Sequence, residues 1–600
     1  MLFPGHRYTG NRVGPKWLSL NYSKREVMVP MRDGVRLYTA IYEPKSAGKH
    51  PVIMLRSPYP FNPYGKTFSD ALKKNLYMFA RNGYIIVMQN VRGTYLSEGE
   101  FVNVRPYIPE KEPGQIDEAT DTYDTAQFLV DNCSTNGAIG VKGISYPGFY
   151  ATLAALSGHP AIKAVSPQAP VTDWWIGDDA HLNGAFQNAM YSFASSFMRE
   201  RKAPTIRWNP SLVKIEGDIY DYFLEREPLG DLLSPVVDNL PFLKELTLHP
   251  DYDSFWKERN PALHLGGVKV PMMVVGGWFD AEDCYGAFET FRKIRELSPE
   301  CPSYLVSGPW YHGGWKNLEY DHLSEAYFGK GSGQFFLEEI EYPFFAYYLE
   351  GKGEKPDYTA LILPSGETSA KEKENYTISA EDWEKLPSWP QFSSVKRFYP
   401  ADDEKLSSKP SSEPSSFSYV SDPLHPVPYC AETTTQFSRD AHAGNQKFAS
   451  RRTDVLSFVG DKLEEDVSVY GQVKAHFCMT LSTTDADIVF KVIDVRPDGY
   501  HMLVRQGVLP VRYRNGIGKG IPAIPGQKME MDIVLNDIAH KFCKGHRIMV
   551  QVQSSLFPLI AMNPQTFLPN QYCAVSSDYV KSEITIYTGE NGSWVDLPVK

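Results

Sequence analysis

Apolar residues in the first half of the chain fall into short runs separated by polar or mixed segments. Residues 24–43 place two alternating stretches, KREVMVP and VRLYTAIYEP, around Asp33-Gly34, which predicts a β-hairpin. Continuous apolar runs follow: PVIMLRS (51–57), YIIVMQNV (84–91), AIGVKGI (138–144), IKAVSPQ (162–168), VPMMVVGGW (270–278) and YLVSG (304–308). Runs without alternation suit strands covered on both faces. Helical periodicity at 67–82 and 118–132 lies between several of them. The fold class is therefore α/β, with a mostly parallel sheet.

Two stretches break this rhythm. Residues 185–261 are rich in Phe, Tyr, Glu and Lys and carry helical patterns, as in LVKIEGDIYDYFLERE and NLPFLKELTLH. They predict a helical cap inserted over the C-terminal edge of the sheet. After about residue 355 the α/β alternation stops. Residues 402–418 are Ser/Pro-rich and predict a surface loop. Alternating strands then follow (DVSVYGQVKAHF, DIVFKVIDV, KMEMDIVL, HRIMVQVQ, SEITIYT), which predict an all-β sandwich or jelly roll. The expected organisation is an α/β domain in two parts (1–184 and 262–355), the cap (185–261) and a β domain (356–600).

Bulk properties narrow the function. Six hundred residues exceed what one core holds. The net charge is −11 with no basic stripe, which argues against nucleic acid as a partner. No window approaches 18 apolar residues, so no membrane-spanning helix is expected. The N-terminal MLFPGHRYTGNRVGPKW lacks a signal peptide's apolar run, which predicts a cytoplasmic chain unless a leader has been removed. The seven scattered cysteines form no C-x-x-C pair, and neither a disulfide framework nor a zinc site is expected.

The chemistry concentrates in VKGISYPGFYATLAAL (141–156). A strand runs through Gly143-Ile144-Ser145-Tyr146-Pro147-Gly148 into a small-residue helix, the layout of a nucleophile elbow. Such a turn exposes the Ser145 hydroxyl at a helix N-terminus, where backbone N–H groups can hold an oxyanion. Pro147 occupies the usual second-glycine position and Gly148 follows one residue later, so alone the motif also reads as a plain Gly/Pro turn. A serine nucleophile needs a base, and the base needs an orienting acid. Both candidates follow strands in the expected order: Asp280 after PMMVVGG and His312 after YLVSG. Asp280 is preferred to Glu282 and Asp283 because it comes first after the strand. One oxyanion donor is expected from the Tyr146 amide and the other from the loop Arg56-Ser57-Pro58-Tyr59, where the Tyr59 phenol could supply it, although Pro-Tyr-Pro also reads as a plain rigid loop. The acidic cluster Asp280-x-Glu282-Asp283, with Asp178-Asp179 on a neighbouring loop, reads as an anionic pocket for an ammonium, a solvated acidic loop or a calcium site. Trp174, Trp175 and Trp278 are candidates for an acyl or acceptor pocket, or for core.

Taken together, RSPYP, NVRG with SEGEF, GISYPGF, SPQAPVTDWWIGDD, DAEDCYG, GPWYHGGW, TDADIVFKVIDVRPDG and GHRIMVQVQSSLFPL resemble the α-amino acid ester hydrolases, within the cocaine esterase and X-Pro dipeptidyl peptidase group of serine hydrolases. The likeness runs end to end. It implies an α/β-hydrolase domain, a helical cap and a jelly-roll domain. It also implies a triad of Ser145, His312 and Asp280, an oxyanion hole of Tyr59 and Tyr146, and α-ammonium recognition by Asp179, Glu282 and Asp283. No metal or organic cofactor is implied. The expected small-molecule partners are an α-amino acid ester and an acceptor, either water or an amine; no membrane partner is expected. Relatives of this kind often form dimers or tetramers and usually carry export signals. The competing expectations are an X-Pro dipeptidyl peptidase, a carboxylesterase or acylase indifferent to the amine, and a carbohydrate-binding protein with an inactive hydrolase domain.

Overall fold

The structure is a computed structural model that describes residues 13–197, 199, 201, 203–366 and 375–600. The first twelve residues of the segment read for a signal peptide lie outside these. No helix among the described residues is long and apolar enough to cross a membrane.

The apolar runs become a ten-stranded sheet. Its strands are β1 (Tyr22–Pro30), β2 (Arg36–Pro44), β3 (His50–Ser57), β4 (Ile85–Asn90), β5 (Thr135–Ser145), β6 (Ile162–Pro170), β7 (Met272–Gly277), β8 (Ser303–Gly308), β9 (Ala360–Ile362) and β10 (Glu384–Leu386). Their spatial order is β1-β2-β4-β3-β5-β6-β7-β8-β9-β10. The strands from β4 to β9 pair in parallel, and the hairpin β1–β2 and the last strand β10 are antiparallel. Every residue of β4, β7 and β8 is buried, which explains their unbroken apolar runs. Helices α1 (Glu118–Asn132), α2 (Tyr146–Leu156) and α3 (Cys284–Leu297) pack on the sheet, and α2 and α3 start directly behind the two loops that matter below.

Three sequence expectations change. The helix expected over 67–82 is broken into a turn at Asp70–Lys73 and a short helix at Tyr77–Arg81, because Lys74 takes a non-helical backbone (φ −113°, ψ −109°). The sheet does not stop at residue 355: β9 and β10 extend it to Leu386 before the chain enters the second sheet system. These strands are only three residues long, too short to show a period. The Ser/Pro-rich stretch 402–418 is not wholly loop, since Lys405–Ser407 and the start of Ser416–Ser421 are strands.

Between β6 and β7 the described residues of 181–257 form a hairpin of two-residue strands and five short helices. Their apolar faces join those of the C-terminal strands in one buried cluster, with Phe223 of a cap helix against Phe437. Residues 394–599 make a thirteen-stranded, largely antiparallel sheet system. Two contacts tie it to the hydrolase sheet next to the loop after β7. Arg505 donates to the carbonyls of Trp278 and Asp537, and the Asp537 carboxylate accepts from Arg292 (2.7 Å) and Trp389 (2.9 Å).

Candidate functional site

Ser145 ends β5 with φ 69° and ψ −131°, and α2 begins at the next residue. A positive φ at a serine is strained, and strain of this kind persists only where the surroundings enforce it. Here the glycines enforce it. A Cβ on Gly143 would lie 2.1 Å from the Pro147 carbonyl oxygen, and one on Gly148 would lie 2.8 Å from the Gln168 carbonyl oxygen. The helix therefore closes tightly over the strand end. Pro147 falls in the first turn, where its missing N–H would have had no helical partner. Of the first two helical positions only Tyr146 has an N–H to offer. Its side chain is fully buried, and its hydroxyl accepts from the Val104 amide at 2.5 Å, which fixes the turn from below. Gly143→Ala is expected to lower kcat by about 100-fold or more while the chain still folds, because displacing the serine by about 1 Å costs that much. Steady-state kinetics beside a thermal melt check it.

The loops after β7 and β8 meet. His312 Nδ1 lies 3.0 Å from both carboxylate oxygens of Asp280. Asp280 Oδ1 also accepts from the amides of Glu282 (2.8 Å) and Asp283 (3.0 Å). Burial alone would raise the Asp280 pKa, but His312 and these amides hold it below the ordinary carboxylate value. The histidine loop rests on the elbow, since a Cβ on Gly313 would touch Ile144 at 3.5 Å. Among the described residues the Ser145 hydroxyl has no hydrogen-bond partner. Instead His312 Nε2 lies 3.4 Å from Glu282 and 4.0 Å from Asp283. Burial opposes charge on the imidazole, yet Asp280, Glu282 and Asp179 raise it to about 10.

The acidic residues divide by role. Asp178 is consumed by the backbone, accepting from the amides of Thr172, Asp173 and Gly286 at 2.8 Å each. Asp179 has a positive φ of 24°, and its amide donates to the Glu282 carbonyl (3.2 Å), so the two loops are stitched together. Its carboxylate accepts from Trp174 Nε1 at 3.0 Å. Burial and the neighbouring Glu282 push Asp179 up to about 7. Asp283 is completely buried and neither carboxylate oxygen has a hydrogen-bond partner. Burial, with Asp179 and Asp178 nearby, raises it well above the ordinary carboxylate value. Among the described residues no three such side chains are placed to hold a metal ion.

A cavity of about 260 Å³ opens over Ser145 and is lined by Tyr59, Asp179, Glu282, Met190 and Phe193. Burial and the charges of Asp179 and Glu282 keep the Tyr59 phenol protonated to far above neutral pH, so it is available as a donor. The β domain adds Phe437, Ser438, Arg439, His442 and Leu559 to the lining. These residues were not singled out in the sequence. Nothing local marks them, because they reach the site only through the packing of a second domain.

Of the two readings of the tryptophans, pocket or core, the structure places them on the core side. Trp175 donates to the Pro250 carbonyl (3.2 Å) and packs on Tyr252 and Tyr513, while Trp278 donates to the Leu363 carbonyl (2.8 Å) and packs on Phe288 and Trp389. Both are buried core residues outside the cavity lining, since each indole finds its partners in the body of the protein. Trp174 also lies outside the lining, and reaches the site through its bond to Asp179.

Known proteins share this architecture. Residues 33–314 match the X-Pro dipeptidyl-peptidase (S15 family) and residues 353–593 match the X-Pro dipeptidyl-peptidase C-terminal non-catalytic domain. A solved α-amino acid ester hydrolase superposes with a TM-score of 0.89 at 32% identity, covering 100% of this chain and 99% of the other. The chain belongs to this family of serine hydrolases. An aminopeptidase from the marine sediment archaeon Thaumarchaeota archaeon superposes with a TM-score of 0.88 at 31% identity, with both chains covered in full. Cocaine esterase from Rhodococcus sp. (strain MB1 Bresler) is 28% identical over 580 residues, 91% of this chain and 93% of the relative. Membership of the S15 family makes the chain a hydrolase of esters or peptides.

Proposed function

We propose that the protein cleaves α-amino acid esters through an aminoacyl-enzyme and passes the acyl group to water or to an amine. The observation that carries this reading is that Asp179 and Glu282 line the same cavity as Ser145. An ammonium there meets carboxylates that repel one another when the site is empty, so its arrival relieves an existing cost. Asp283, buried behind them with no hydrogen-bond partner, is the third carboxyl of the cluster.

In the proposed reaction His312 takes the proton of Ser145 as Oγ attacks the ester carbonyl. Asp280 holds the imidazole by Nδ1, leaving Nε2 for the serine. The Tyr146 amide and the Tyr59 phenol receive the oxyanion. The alcohol leaves with the proton from His312. Water or an amine then attacks the acyl-enzyme, the C–Oγ bond breaks, and the proton returns to Ser145.

The nest sits close to the reacting groups, with Glu282 3.4 Å from His312 Nε2. That spacing favours an amine one residue from the scissile carbonyl over the two residues that an X-Pro dipeptidyl peptidase requires. Product analysis tests it. Alanine methyl ester is expected to be cleaved at least 10-fold faster, by kcat/KM, than methyl propionate, and faster than Ala-Pro-nitroanilide. Equal rates on the two esters remove the ammonium site, and a preference for the anilide restores the dipeptidyl reading.

A further inference from the structure

The lining of the cavity over Ser145 carries both signs of charge, each from a different domain. The hydrolase domain contributes Asp179 and Glu282, and the β domain contributes Arg439. Arg439 is exposed, and among the described residues its guanidinium forms no ion pair and no side-chain hydrogen bond. It lies 4.5 Å from the centroid of the Tyr311 ring, the residue directly before His312. A stacked guanidinium keeps its edge free for a bidentate acceptor.

Its loop is well anchored. The Ser438 amide donates to the Tyr429 hydroxyl (2.8 Å), whose own amide donates to the Phe557 carbonyl (2.8 Å), and Phe437 packs on Phe223 of the cap. The neighbouring His442 is half-buried and held uncharged at neutral pH, its pKa lowered to about 4 chiefly by desolvation, so it does not compete for an anion. Other charged groups near the loop are Asp440, next in the chain, Asp179 and Glu282 in the same cavity lining, and Arg505 and Asp280, whose charges reach His442.

Position decides which part of the substrate Arg439 faces. The leaving group must lie within reach of His312, which returns its proton. Arg439 sits on the residue before His312 and lines the Ser145 cavity, whereas the ammonium nest holds the acyl side. We propose that Arg439 binds a carboxylate on the leaving-group side, so that the site cleaves dipeptides with a free C-terminus and uses free amino acids as acceptors. This rests on the aminoacyl reading above and adds a second recognition point to it. In cleavage, the Ser145 Oγ–C bond forms, the C–N bond breaks, and the departing amine takes the proton from His312. In synthesis, the neutral amine of the free amino acid attacks the acyl-enzyme, the C–N bond forms, the C–Oγ bond breaks, and the proton passes through His312 back to Oγ.

The test is an acceptor competition on the whole enzyme. Alanine methyl ester is the donor, and glycine and glycinamide compete in one tube, compared as their reactive neutral amines. The wild type is expected to favour glycine. In Arg439→Gln the glycine-to-glycinamide product ratio is expected to fall about 5-fold, the upper end for an ion pair at an exposed site. Arg439→Lys is expected to keep part of the preference. Because both acceptors meet the same protein, a folding defect cannot mimic the change. An unchanged ratio in Arg439→Gln overturns the proposal. The two readings also fail separately: an enzyme that ignores the donor's α-amino group but loses its acid preference in Arg439→Gln disproves the ammonium nest and upholds the carboxylate site.

Discussion

Ser145→Ala is expected to lower kcat/KM on alanine methyl ester by on the order of 10⁴-fold or more, the size of loss seen when a hydrolase nucleophile is removed. The same variant is expected to melt within about 2 °C of the wild type. Two observations separate these outcomes. The hydroxyl has no hydrogen-bond partner among the described residues, so its removal breaks no contact of the fold. The strained backbone at φ 69° is set by the close approach of Gly143 and Pro147, and alanine keeps the same Cβ, so the strain is neither relieved nor increased. A fluorophosphonate probe checks the assignment directly. Wild type is expected to label once, at Ser145, and the variant not at all. A variant that still labels and still turns over would place the nucleophile elsewhere.

Much of this site could be read from the chain before its fold was seen, for a physical reason. Ser145 ends, and Asp280 and His312 closely follow, strands that are largely apolar, and such strands have only one place to go, the middle of a covered sheet. The strand ends then converge by topology, and the loops meet because β5, β6, β7 and β8 are neighbours. The limits have equally local causes. Asp178 and Asp179 are adjacent and identical in type. The resemblance picks out the second, and the structure gives the reason: backbone amides consume the first while the second lines the cavity. Trp175 and Trp278 have the composition of a binding pocket, yet each N–H is taken by a carbonyl in the core. Phe437, Arg439 and His442 sit in a stretch with no periodicity and no motif, more than a hundred residues past His312 in sequence. Their place over Ser145 follows from packing between the cap and the β domain, which is long-range information that periodicity does not carry.

Glu282→Gln is expected to act on both specificity and pH dependence. On alanine methyl ester it removes one charged partner of the ammonium, worth about 1.5–3 kcal/mol. The Glu282 side chain is about half exposed (52%), which puts the loss at the lower end, roughly 10-fold in kcat/KM. On methyl propionate that contact never forms, so the same loss is not expected. The pH dependence has its own sign. His312 must be uncharged to accept the serine proton, and in the empty site Asp280, Glu282 and Asp179 hold it charged to about pH 10. For an amine-free ester, kcat/KM reports the free enzyme and should therefore climb with pH well above 7. Removing the Glu282 charge takes away one of the groups that raise His312, so the climb should begin at lower pH, and the variant should exceed the wild type on methyl propionate at neutral pH. A bound ammonium acts in the same direction by neutralising the nest, so with alanine methyl ester the acid limb of kcat should lie below that of kcat/KM. In this reading the substrate's amine does more than anchor it: by drawing Glu282 away from His312 Nε2, 3.4 Å distant, it releases the base that the reaction needs. Superimposable pH profiles for wild type and Glu282→Gln on methyl propionate would show that the carboxylates do not govern the histidine.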